Sequence, residues 1–168
     1  GIEFIPMPEK WAYLGGVFFP ALFGTPNLDF RMEYADNRVH DEGYIWYTHP
    51  YSPHEYKGRI LGHPMGTDAS SFSAQGRWFF LPSTYLELAL DLVERYYPGP
   101  AKEETTAFRT AFQGWLTPSL RAALRFDAAT SKNFSGLAGT REESYGVRLD
   151  ITWRFSGVYD YLSSKELP

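Results

Sequence analysis

The sequence predicts an all-β protein: an antiparallel transmembrane β-barrel of the outer-membrane type, of which this chain is an incomplete part. Three observations lead there. Several segments alternate apolar and polar residues with period two, aromatic residues make up 18% of the chain, and the joints between the segments are alternately short and long. Alternation puts one greasy and one charged side on each strand, rings suit the girdles of a membrane barrel, and alternating joints match tight periplasmic turns and longer external loops.

The elements follow in order. Trp11 to Leu28 carries no charge and is about as long as a spanning helix. Gly15-Gly16, Pro20, Gly24 and Pro26 interrupt it, so strands over about 11–19 and 27–36 joined by a turn fit better. In the second of these, Leu28, Phe30, Met32 and Tyr34 oppose Asp29, Arg31 and Glu33. Residues 69–80 repeat the pattern, with Phe72, Trp78 and Phe80 against Ser71, Ser73, Gln75 and Arg77. Residues 84–95 set Leu86, Leu88, Leu90 and Leu92 against Glu87 and Asp91.

Strands over 106–116, 119–128 and 145–155 complete the set. In the last, Val147, Leu149, Ile151, Trp153 and Phe155 oppose Arg148, Asp150, Thr152 and Arg154. A helical reading competes between 84 and 128, where Phe108, Ala111, Phe112, Trp115 and Leu116 fall at helical spacing. The joints favour strands. Those at Leu81-Pro82-Ser83 and Thr117-Pro118 are short, whereas 97–105 and 130–144 are long.

If the long joints are external, the strand ending at Phe155 runs inward and the chain finishes in the periplasm. Its alternating, Phe-terminated close resembles the terminal strand signal of outer-membrane proteins. Counting gives seven strands, or nine with a hairpin inside 37–68. A barrel whose ends share one side needs an even number. The expectation is therefore the C-terminal part of a larger barrel, with strands over 1–155, an external connection over 37–69 and a tail over 156–168. The competing expectation is a complete soluble β-domain, because periodicity alone does not say whether the apolar face meets lipid or a core.

Composition removes several functions. A net charge of −4 in 168 residues argues against a nucleic-acid partner. The absence of cysteine removes disulfide scaffolds, thiolate metal sites and cysteine nucleophiles.

Candidate function concentrates in 37–69, which holds Trp46, Tyr47 and Tyr56 and all four histidines, His40, His49, His54 and His63. No histidine pair has the short spacing that puts two ligands on one face, so no metal is expected. Polysaccharide binding needs flat rings against sugar faces beside groups that hydrogen-bond hydroxyls and carboxylates. Trp46, Tyr47 and Tyr56 supply the rings, and Lys57, Arg59, His63 and Asp68 the polar groups. The same rings serve equally well to pack the connection onto the barrel rim. Two other classes stay open: an acyl hydrolase built from His63, Asp68 and Ser70 or Ser71, and a porin with Arg77, Arg121, Arg125, Arg148 and Arg154 along its conduit.

The run Tyr56-Lys57-Gly58-Arg59-Ile60-Leu61-Gly62-His63-Pro64-Met65-Gly66-Thr67-Asp68, with the upstream Met32-Glu33-Tyr34-Ala35-Asp36, resembles the capsule assembly protein Wzi family. The likeness is strongest over about 27–95, and the matching positions are Arg59, Gly62, His63 and Asp68. The resemblance implies a larger outer-membrane barrel whose outer surface acts as a lectin for capsular or exported polysaccharide, without a catalytic group or cofactor. Its partners would be that polysaccharide, outer-membrane lipid and the upstream strands of the same barrel. The chain departs from the family in its missing upstream portion and its tail from Ser156 to Pro168.

Overall fold

The computed structural model describes residues 11–38, 48–49, 52–53, 55–56, 59–60, 65–66, 68–96 and 101–154. Among these residues eleven strands follow in chain order: β1 (Tyr13–Phe19), β2 (Leu28–Asp36), β3 (Thr48–His49), β4 (Ser52–Pro53), β5 (Glu55–Tyr56), β6 (Arg59–Ile60), β7 (Ala69–Leu81), β8 (Thr84–Arg95), β9 (Glu103–Thr117), β10 (Leu120–Lys132) and β11 (Arg141–Trp153). Seven of them form one antiparallel meander in the order β1-β2-β7-β8-β9-β10-β11. The hairpin expected inside 37–68 is two small ones, β3-β4 and β5-β6, neither joined to the main sheet among the described residues.

All seven expected strands form, and the residues open to a helical reading are strand. Phe108, Phe112 and Leu116 fall on one face of β9, while Ala111 and Trp115 fall on the other. β9, β10 and β11 are longer than expected at their loop ends, so the joints shrink to 96–102 and 133–140. Thr130, Ser131 and Lys132 pair with Glu143, Glu142 and Arg141 there. Those residues are polar on both faces, so apolar alternation does not reveal them as strand.

The sheet has almost no interior of its own. Among the described residues the buried hydrophobics are Ala35, Met65, Ala69 and Ala89. By contrast Val147 is 74% exposed, Leu149 62% and Trp153 63%. A soluble sandwich would cover that face with a second layer. Here it lies open on every strand.

The register shows what covers it. Leu28, Trp78, Leu86, Phe112, Leu124 and Leu149 stand in one row across β2, β7, β8, β9, β10 and β11. Toward the loops the apolar band begins at Tyr34, Phe72 and Leu92, which share a row. Their partner on β9 is already Thr106, and there the band begins at Phe108, level with Ala128 and Tyr145. Toward the turns the band ends at Leu28 in β2 but runs on to Leu116, Leu120 and Trp153. It thus slides along the strands as the sheet is crossed, as a flat hydrocarbon layer would lie on strands tilted to its normal. Tyr145 to Trp153 is about the length a tilted strand needs to cross that layer.

The opposite face is polar, and ion pairs join its strands. Arg77 forks onto Asp29, Nε to Oδ1 at 3.1 Å and a terminal nitrogen to Oδ2 at 2.7 Å. Arg109 bridges Asp91 at 3.6 Å and Asp127 at 3.2 Å.

Candidate functional site

The loop end of the sheet is built differently on its two faces. On the apolar side, the row beyond the lipid band reads Asp36, Ser70, Glu94, Glu104, Lys132 and Arg141. Lys102 sits between Glu94 at 2.8 Å and Glu104 at 3.0 Å. Hydrogen bonds to those carboxylates raise its ammonium pKa above the ordinary lysine value. The Arg38 guanidinium is likewise held more firmly charged, chiefly by its hydrogen bonds to Asp36. This collar of charge marks where the strands leave hydrocarbon.

On the polar side the loop end carries a clamp. Asn37 donates from its side-chain amide to the Gly66 carbonyl at 2.8 Å and accepts at Oδ1 from the Ala69 N–H at 2.8 Å. Met65 is buried against Ala35, Ala69 and Val93, and its carbonyl accepts from Arg95 Nε at 2.8 Å. Arg95 also reaches Glu103 Oε1 at 3.3 Å. Glu103 is only 2% exposed, and accepts in addition from the Thr105 hydroxyl and the Ser135 N–H. One carboxylate and one guanidinium therefore tie together the end of the 37–68 connection, β8, β9 and the 133–140 loop.

That second loop is braced from within. Asn133 donates to the Lys102 carbonyl at 3.0 Å and accepts from the Gly139 N–H at 3.0 Å. Asn133 and Ser135 adopt left-handed backbone, at φ 52° and 56°. Asn tolerates that region because its short side chain bonds locally; Ser is a less common occupant.

The sequence-predicted site residues fare unequally. Trp46, Tyr47, Lys57 and His63 lie outside the described residues, as do His40 and His54. The β5-β6 register sets Tyr56 opposite Arg59. Asp68 adopts φ 48°, and its carbonyl accepts the Tyr96 N–H at 2.9 Å. Alternation places Ser70 and Ser71 on opposite faces of β7, so they do not share one nucleophile position. The clamp residues Asn37, Arg95 and Glu103 were not singled out from the sequence. Asn37 follows β2, Arg95 ends β8 and Glu103 begins β9, and only a buried charge at a strand end could have hinted at them.

An antiparallel sheet with a tilted apolar band, a charged collar and a polar opposite face defines an outer-membrane β-barrel protein. The sequence profile of the capsule assembly protein Wzi family matches residues 2–158, and the chain belongs to that family. Its place is the bacterial outer membrane, and its role lies in capsule assembly. No curated protein and no solved structure matches the chain.

Proposed function

We propose that this protein binds and anchors capsular or exported polysaccharide at the cell surface, without catalysis, through the 37–68 connection. The observation that carries this reading is the clamp. Asn37, the first residue of the connection, bonds its returning end at Gly66 and Ala69, and Arg95 bonds the same end at Met65, so the two ends of a segment rich in rings and histidines are fastened together at the loop end of the sheet. Fixing both ends lowers the ordering cost of a binding loop. Trp46, Tyr47 and Tyr56 would stack on sugar faces, while Lys57, Arg59, His63 and Asp68 would meet hydroxyl and acidic groups. Each contact is weak, and a repeating polymer multiplies them.

The open edges of β1 and β11, unpaired with each other among the described residues, support a larger barrel in which further strands complete the wall. The reading is tested in a capsulated strain carrying the full-length protein. Changing Trp46, Tyr47 and Arg59 together to Ala should release capsule into the medium while the protein stays folded in the outer membrane. Capsule retained at the wild-type level would overturn the proposal.

A further inference from the structure

We infer that the polar face of β10 and β11, toward their turn end, is a second binding site, for an acidic glycan segment bearing carboxylate or phosphate groups. Elsewhere on this face cations are neutralised: Arg77 by Asp29, Arg109 by Asp91 and Asp127, Arg95 by Glu103. In the row that runs from Asp29 and Arg77 to Arg125 and Arg148, that balance fails once β10 is reached. Arg121 and Arg125 on β10 have no acidic partner among the described residues. Arg148 on β11 stands directly opposite Arg125 in the register. Its carboxylate partner is Asp150, at 2.9 Å.

Like charges facing each other across a strand pair are unfavourable, and an anion between them reverses the sign. The opposed Cα atoms of such a pair are about 5 Å apart, close enough for two guanidiniums to converge on one carboxylate or phosphate. Arg121 lies four residues along β10, about 13 Å away in an extended strand. One small ion cannot span that distance, whereas an extended polymer with successive acidic groups can. The floor between is low, formed by Ala111 opposite Arg125 and by Ala123. At its turn end Arg154 lies 4.2 Å from the centre of the Trp115 ring, giving a flat surface beside a cation.

The choice of a glycan rests on the polysaccharide reading above; the location of the site does not. The test uses the full-length protein in detergent, in a background where Trp46, Tyr47 and Arg59 are Ala, the changes that disable the connection. Hexagalacturonate is the probe and maltohexaose its neutral control. Hexagalacturonate should bind more tightly than maltohexaose, with affinity falling as salt rises. Arg125→Gln with Arg148→Gln should weaken it tenfold or more, while Lys at both positions should keep most of the binding.

Three results would overturn the inference. One is unchanged affinity in the Gln variant, and another is equal binding of maltohexaose. The third is a lowered melting temperature in the Gln variant with binding intact, which would assign the arginines to acidic partners within the same barrel wall. Failure of the connection to hold capsule would appear in the strain assay instead, so the two proposals stand or fall separately.

Discussion

Arg95 donates from Nε to the Met65 carbonyl at 2.8 Å, joining a barrel strand to the returning end of a connection begun nearly thirty residues earlier. Met65 lies outside the sheet, ahead of β7, and the bond gives its carbonyl a donor from β8. The same guanidinium faces the buried Glu103.

Arg95→Ala should therefore cost about 2 kcal/mol or more, since it takes the cation from a buried carboxylate and a donor from the Met65 carbonyl together. Denaturant unfolding measures the total. Hydrogen exchange should show the Ser135 amide losing protection. Glu103→Gln, which keeps an acceptor for Ser135, should cost less than Arg95→Ala. The reverse order would mean that Glu103, not Arg95, is the keystone.

Phe112 and Gln113 are adjacent on β9, in the middle of the band and on opposite faces. Phe112→Arg puts a charge against hydrocarbon and should cost about 2–4 kcal/mol in lipid vesicles. Gln113→Arg points to the polar face and should cost under about 1 kcal/mol. Equal costs would contradict the assignment of the two faces.

Gly15 and Gly16 separate in the same way at the sheet edge. A Cβ at Gly16 would meet the Met32 carbonyl oxygen at 2.6 Å, and backbone cannot swing aside as a side chain can; at Gly15 it would meet nothing within 4 Å. Gly16→Ala should cost about 1–3 kcal/mol and loosen β1 from β2. Gly15→Ala should be neutral or slightly stabilising, read by the folded-barrel mobility shift on unheated gels.

The Asp29–Arg77 fork calls for a double-mutant cycle. Asp29 is 7% exposed, so Arg77→Ala alone leaves a buried carboxylate without its partner and should cost about 3 kcal/mol. Adding Asp29→Ala should recover part of that. Additive losses, with no coupling above about 0.5 kcal/mol, would show that the pair is incidental.

How much of this was legible in the sequence depends on which solvent each residue meets. Leu86, Leu88, Leu90 and Leu92 meet lipid, so their alternation is plain and the strand follows. Thr130, Ser131 and Lys132 are strand beyond the lipid, where both faces are polar and the period vanishes. The connection drew attention through its rings and histidines. Its fastening could not, because Asn37, Met65, Arg95 and Glu103 carry no common pattern and meet only through the register. Asp68, singled out for its carboxylate, is placed by its main chain: a left-handed turn whose carbonyl joins Tyr96.

Among the described residues the outer rims of β1 and β11 are unpaired, which constrains how such a wall enters a bilayer. Hydrocarbon offers no water to an unpaired N–H or C=O, and each one left there costs several kcal/mol. β11 alone presents a row of them along thirteen residues. The seven strands are thus a panel that must be zipped along both seams, to each other or to neighbouring strands, as it sinks in. Insertion and sealing become one event, and a variant that slows the zipping of either seam should accumulate outside the membrane as a protease-sensitive intermediate.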